Sequence, residues 1–266
     1  QLGYSAEEKL NHSIIGLEYK ISNALKKLTD TRQYNITLLQ GHGEYLPSQL
    51  FDISRILEES RYKMQIVDVT QKTKSSAGDS LGMWFPSNTD LVIIARPTMP
   101  FKEVEKYRLD QFVMHGGKIL WAIDGLDAKT EYLRNSGNIF MTKSFDLNLD
   151  DLLFKYGIRV NKNLVQDAQQ SAPIPIIDQS SKEPMLFPWI YTPLLTPGYN
   201  HAIGKNLDPI YSQYASALDT IQNTIKKSII LSTSQYGRAI PDPVRVHLSA
   251  IKEKIDFKYF KQPYLP

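Results

Sequence analysis

The sequence predicts an α/β protein built on a mainly parallel, doubly wound sheet, with a β-rich C-terminal extension. Three observations carry this expectation. The first half reads β-α-β-β-α-β with short turns, the alternation that builds parallel sheets. Its strands are continuous apolar runs, too continuous for a sheet wetted on one face. The stretch Ile36 to Glu44, Ile-Thr-Leu-Leu-Gln-Gly-His-Gly-Glu, runs from strand character into a turn with two glycines. Glycine adopts the backbone angles that let a chain leave a sheet and enter a helix.

Residues 5 to 29 read as one long helix. Leu10, Ile14, Leu17, Ile21, Leu25 and Leu28 recur at steps of three and four, with Glu18, Lys20, Lys26 and Lys27 mainly off that stripe. A helix packed on the domain is the default expectation. A stalk or dimeric coiled coil is the alternative, but the heptads are too few to require it. The Ile36 strand follows, then a helix over 48–60, with Leu50, Ile53, Ile56 and Leu57 at helical spacing and Ser48 as its cap.

Met64 to Val69 is a second strand. Residues 71 to 89, rich in Ser, Lys, Gly and Asn, read as a surface excursion. Asp90 to Ala95 is a buried strand. Phe101 to His115 is a helix stopped by Gly116-Gly117, and Lys118 to Asp124 is the fourth strand, ending in Asp124-Gly125. Beyond Phe145 the signals weaken. Leu149 to Tyr156 is a short helix ended by Gly157, and 158–166 is extended. Pro173-Ile-Pro-Ile-Ile177 is an edge strand or loop, because proline donates no ladder bond. Leu186 to Leu195, Ile210 to Leu218 and Ser228 to Thr233 are further strand candidates. The resulting organisation is an amphipathic helix (1–30), an α/β domain (31–145) and an α+β extension packed on or continuing the same sheet (146–266).

Composition narrows the functional classes. The 266 residues are 42% hydrophobic, enough for a sizeable core. Cut at Phe145, the chain has 18 basic and 17 acidic residues before and 13 and 11 after, so neither half is a basic lobe and no nucleic-acid footprint is visible. Proline divides unevenly, four before that point and eleven after, which favours turn-rich structure late. There is no cysteine, which removes disulfides, thiolate metal sites and a thiol nucleophile. No apolar run has the length to span a bilayer. The chain begins at Gln1 without an initiator methionine, as expected of a processed protein or an excised domain.

In a parallel α/β sheet, ligands bind past the strand C-termini. Gly41, His42, Gly43 and Glu44 are therefore candidate ligand-binding residues on the rim, joined by Asp124 and Gly125 after the fourth strand. Neither set carries a cofactor signature. A dinucleotide fingerprint would need glycine where Leu46 stands, and no phosphate-clamping Lys-Ser/Thr pair follows. His42 and Glu44 could share a metal or a proton, but a third partner is missing and a structural turn is the plainer reading. His12, His115, His201 and His247 are dispersed, without the spacing of a metal site. The expectation is no metal and no cofactor. Trp84-Phe85, Trp121 and Phe187-Pro-Trp-Ile-Tyr191 are aromatic enough to stack a sugar or peptide, but aromatics at strand positions are more often core. Lys252, Lys254, Lys258 and Lys261 give the tail a basic flavour that Glu253 and Asp256 dilute.

Several stretches resemble one family. Ser22-Asn-Ala-Leu-Lys-Lys-Leu28, the Gly-His-Gly-Glu turn, Leu149-Asp-Asp-Leu-Leu-Phe-Lys-Tyr-Gly-Ile158, Asn206-Leu-Asp-Pro209 with Ala215-Ser-Ala217, and Leu231-Ser-Thr-Ser234 occur in order. Together they look like the GldG family, the auxiliary subunit of the gliding-motility ABC transporter of Bacteroidota. The resemblance runs from about Ser13 to Thr233. It implies a glutamine-amidotransferase-like (flavodoxin- or Rossmann-like) α/β domain on the periplasmic side of the inner membrane. Membrane helices outside this sequence would hold it, and the partners would be an ABC permease and an ATPase. The same domain type is similar to one in an intraflagellar transport protein, where it serves as an assembly module.

In amidotransferase-like sheets a Cys or Ser nucleophile stands on a sharp turn after such a strand. Here the turn is Asp124-Gly125-Leu126-Asp127, and a carboxylate is a poor acyl acceptor. The family supplies no catalytic residues to carry over. The expected function is a non-catalytic auxiliary domain that binds protein partners first and a soluble ligand second, with homo-oligomers left open. The alternative is a hydrolase or amidotransferase-like enzyme using His42, Glu44 and Asp124.

Overall fold

The computed structural model describes residues 14, 17–30, 32–69, 85–86, 88–177, 184–198, 201–205, 207–251 and 255–266, without the side chains of 18 and 19. The chain divides into two compact units. One comprises residues 1–96 and 107–122, the other 97–106 and 123–266.

The first unit is the expected parallel α/β sheet. Its elements are helix α1 (Leu17–Thr29), strand β1 (Asn35–Gln40), helix α2 (Phe51–Glu59), strands β2 (Lys63–Asp68) and β3 (Leu91–Ala95), helix α3 (Glu103–Met114, whose first four residues fall in the second unit) and strand β4 (Lys118–Ala122). The strands are all parallel in the order β2-β1-β3-β4, so the order reverses between β1 and β3. Ile36, Leu38, Ile93 and Ala95 form a buried cluster on one face, covered by Leu50, Leu57 and Tyr62. The two-residue period turns Thr37, Leu39, Val92 and Ile94 to the other face, where all four are also buried. Both faces of the central strands are therefore covered, as continuous apolar runs require. The edge strands are less so: Ile66 of β2 and Leu120 of β4 are about half exposed.

Three expectations need correction here. Helix α2 begins at Phe51, after a turn at Pro47–Leu50. Its cap position is Leu50 and no side chain bonds to it, so Ser48 is not the cap. Phe51, Ile53 and Ile56 are exposed, and only Leu50 and Leu57 reach the core. Of the surface excursion, 71–84 lie outside the described residues, but Phe85 and Thr89 are buried. Phe85 meets Phe112 edge-on at 5.0 Å. Most importantly, the apolar stripe of α1 is not packed on the domain. Leu17, Ile21, Leu25 and Leu28 are 52–79% exposed. Amphipathic spacing shows which face is apolar, not that something covers it.

The second unit is mostly antiparallel. It contains strand β5 (Leu126–Asp127), helix α4 (Thr130–Asn135), strands β6 (Ile139–Met141) and β7 (Lys143–Ser144), and helix α5 (Asp150–Tyr156). The C-cap of α5 is Gly157 at φ 87°, a left-handed stop that glycine adopts freely. Then come β8 (Ile158–Val160), β9 (Asn163–Asp167), β10 (Ser171–Ile177) and β11 (Pro184–Pro197). Strand β10, with Pro173 and Pro175, is the edge partner of β11, as its prolines require.

The remaining strands are short: β12 (Ile210–Tyr211), β13 (Leu218–Thr220), β14 (Leu231–Ser232), β15 (Gly237–Pro241) and β16 (Arg245–His247). Their partners are distant in sequence. Strand β15 pairs with β9, β13 with β8 and β16 with β6, all antiparallel. They enclose one core around Trp189, Phe140, Leu164, Tyr191, Tyr214 and Val246. Each fully buried aliphatic or phenyl side chain of this kind contributes about 1.5–3 kcal/mol relative to exposure. Trp189, Tyr191 and Phe85 are thus core, and Trp121 is half-buried. Trp84, His12, Lys252 and Lys254 lie outside the described residues.

Candidate functional site

The glycine turn sits where the sequence places it, past the C-terminal end of β1, beside the point where strand order reverses. Gly41 has φ 129° and Gly43 φ 74°, so both occupy backbone space that other residues enter at a cost. The turn is tied to the neighbouring strand. The Tyr45 N–H donates to the Ala95 carbonyl at 2.9 Å, and the Gln40 side-chain amide donates to the Tyr45 carbonyl at 2.9 Å. The Arg96 guanidinium lies over the Tyr45 ring, 5.7 Å from its centroid.

The side chains do not line an open rim. His42 is 3% exposed and Glu44 5%. The Glu44 carboxylate folds back on the turn. One oxygen accepts the His42 backbone N–H at 2.7 Å, and the other lies 3.4 Å from His42 Nδ1. The motif is therefore a buried polar turn closed by its own residues, which corrects the expectation of an exposed histidine. The sequence carried a cue in the His-x-Glu spacing. A carboxylate two residues after an amide can return to bond it, which turns a polar pair inward.

Asp124 and Gly125 belong to the second unit, not to the sheet unit that holds Gly41–Glu44. Gly125 is packed tightly. A Cβ there would stand 2.5 Å from the Asn161 carbonyl oxygen and 2.6 Å from Ser216 Oγ. Its N–H donates to Ser216 Oγ at 3.2 Å. The cavity beside Asp124 and Gly125 measures about 20 Å³. That is room for about one water molecule and for no organic ligand. Among the described residues, no three His, Cys, Asp or Glu side chains converge as metal ligands would.

The second unit holds one strong charge cluster that sequence reasoning missed. Lys106 is buried, with its side chain 6% exposed, and its Nζ donates to both oxygens of Asp151 at 2.8 and 2.9 Å. Glu103, one helical turn earlier, lies 2.8 Å from the same Nζ. Burial disfavours the ammonium, but the bonds to Asp151 and Glu103 outweigh it and hold the Lys106 pKa above its ordinary value. The same bonds hold Asp151 and Glu103 below theirs. All three ammonium protons of Lys106 have carboxylate acceptors, and Glu103 also accepts from the Asn148 amide at 3.0 Å, so the cluster reads as a clamp rather than a reactive centre. Only the 103–106 half, at helical spacing, was visible in the sequence. A bond between residues 45 positions apart was not.

The profile of the family described as "ABC-type uncharacterized transport system" matches residues 33–265. No curated protein matches the chain. Among solved structures, the mmIFT52 N-terminal domain aligns at 18% identity with a TM-score of 0.47, over 79% of this chain and 77% of that one. The family profile takes in β1 and the glycine turn, the whole parallel sheet and nearly all of the antiparallel unit, and the chain belongs to the ABC-type uncharacterized transport system family, an auxiliary component of such transporters.

Proposed function

We propose that this chain is a non-catalytic, extracytoplasmic auxiliary domain of an ABC transport system linked to gliding motility, of the GldG kind. It works by binding protein partners on the periplasmic side of the inner membrane. The partners are the permease and ATPase of the same transporter, reached through membrane helices outside this sequence. The observation that carries this reading is the closure of the glycine turn. In α/β enzymes the strand C-terminal edge is where substrate enters. Here His42 and Glu44 fill that position with each other, and both are buried. The cavity at Asp124 is no roomier. A parallel sheet whose glycine turn is closed by its own buried side chains supports a binding role over a catalytic one. Family membership supports the transporter, and the order of the GldG-like stretches supports the gliding-motility branch.

The test is to isolate the full-length protein from membranes with a mild detergent and identify what comes with it. A permease and an ATPase should co-purify in fixed ratio, and loss of the gene should abolish gliding. Recovery of neither transporter subunit would overturn the proposal.

A further inference from the structure

At the opposite end of the sheet from the glycine turn lies a cleft of about 380 Å³. That volume is within the range of ligand clefts, about 300–1,000 Å³. Its aromatic wall is Tyr34 and Tyr62, which immediately precede β1 and β2 and stand 5.9 Å apart, tilted by 41°. Strand β1 separates this cleft from Gly41 by about 20 Å, at roughly 3.3 Å per residue.

Four cations from three segments line the cleft: Lys26 and Lys27 from the last turn of α1, Arg32 from the connection to β1, and Arg61 from the α2–β2 turn. Arg32 lies over the Tyr34 ring at 4.8 Å and bonds Asp90 at 2.9 Å. The one carboxylate in the lining, Asp30, accepts the Arg32 backbone N–H at 3.0 Å. Among the described residues, Lys26, Lys27 and Arg61 form no ion pair. Arg61 also stands at φ 66°, where a glycine would sit with less strain.

We infer that this cleft docks an extended acidic peptide segment of a protein partner. The charge calls for an anion. The backbone decides which kind. Helix N-termini, where N–H groups point at the ligand, favour compact phosphate groups. Here the cleft receives the C-terminal ends of two helices, α1 at Lys26–Lys27 and α2 at Ser60. Their carbonyls disfavour a concentrated dianion. The positive charge instead sits on long side chains spread over three segments, which suits carboxylates spaced along a chain. The paired tyrosines supply amphipathic contact area of the kind that anchors peptide interfaces. This site is independent of which proteins the domain assembles with, and it can be tested without the transporter.

The probe is a fluorescein-labelled Glu-Tyr copolymer, titrated with the intact 266-residue chain and read by anisotropy. Binding should weaken between about 50 and 300 mM salt, as screened charge contacts do. Lys26→Glu with Lys27→Glu should raise the Kd at least about tenfold. Arg61→Asn should also raise it, and asparagine tolerates the left-handed backbone, so the fold is kept. Lys258→Glu, an exposed lysine outside the cleft, should leave it unchanged. Inorganic phosphate at matched ionic strength should not compete, and vesicles of phosphatidylglycerol and phosphatidylcholine should not sediment the chain. No binding of the copolymer, an equal loss with Lys258→Glu, competition by phosphate, or capture by the vesicles would each overturn the inference. Circular dichroism of each variant separates lost binding from lost folding.

Discussion

Asp167 and Ser234, 67 residues apart, are joined by two hydrogen bonds: the Ser234 N–H donates to Oδ2 at 2.7 Å and its hydroxyl to Oδ1 at 2.8 Å. Asp167 is fully buried, and Oδ1 also accepts the N–H groups of Gln169 and Gln170 at 2.9 and 2.8 Å. Four donors thus converge on one carboxylate. It ends β9, shapes the turn into β10, and fixes the segment that leads into β15. Asp167→Asn keeps the size but turns a donor toward donors. We expect it to lower stability by about 1–3 kcal/mol, read as a shift in the urea midpoint. An unchanged midpoint would show that the carboxylate's charge is not what holds this junction.

The buried turn makes a second prediction. Gly43→Val forces a β-branched residue to φ 74° and should cost about 1–2 kcal/mol. His42→Ala should also destabilise, by about 1–3 kcal/mol, because it leaves the Glu44 carboxylate beside an emptied pocket. Thermal melts of both variants check this. A silent His42→Ala beside a damaging Gly43→Val would mean that the side chain works in an open rim after all.

Gly125→Ala tests the packing of the second unit. The new Cβ would stand 2.5 Å from a backbone carbonyl oxygen, which cannot yield as a flexible side chain would. We expect about 1–3 kcal/mol of destabilisation from overpacking. Gly137, at φ 67° with open space around its would-be Cβ, is the control. Gly137→Ala should show only the left-handed backbone cost, about 1–2 kcal/mol, with no overpacking added to it.

The Lys106 triad sets a pH dependence with two limbs. Asp151 has a lowered pKa, so its contribution is complete above the ordinary carboxylate value, about 3.9, and is lost as pH falls through the lowered one. Lys106 has a raised pKa, so its contribution is complete below about 10.4 and is lost as pH rises through the raised one. In Lys106→Met the stability gap to the unsubstituted protein should be widest on the plateau between these limbs. It should narrow toward both extremes. Urea midpoints across the pH range give the profile, and a gap that does not change with pH would discount the triad.

Much of the sheet unit was legible because its signals are local. Leu91–Ala95 is a run of apolar residues whose burial follows from its own composition, and the β1 turn announces itself by Gly41 and Gly43. What covers an apolar face is not local. The α1 stripe and α2's Phe51, Ile53 and Ile56 have the spacing of buried residues, and all are exposed. His42 and Glu44 misled in the opposite sense, since polar residues beside glycine read as solvent-facing. In the second unit, β12, β13 and β14 are two or three residues each. Strands that short have no period to detect, and they exist only because distant partners pair with them. Asp167 could be seen as a turn residue, but Ser234 could not be seen as its partner.

That long-range pairing has a consequence for synthesis. As the ribosome delivers the chain, β9 emerges with Leu164 and Val165 ready to be buried, yet its ladder partner β15 lies roughly 70 residues further on. At about 5–20 residues per second, the strand waits about 4–14 s with an open hydrogen-bonding edge. The parallel sheet of the first unit has no such delay after β4 is made. The nascent protein is therefore half-formed for several seconds, with an apolar strand exposed to whatever else is nearby.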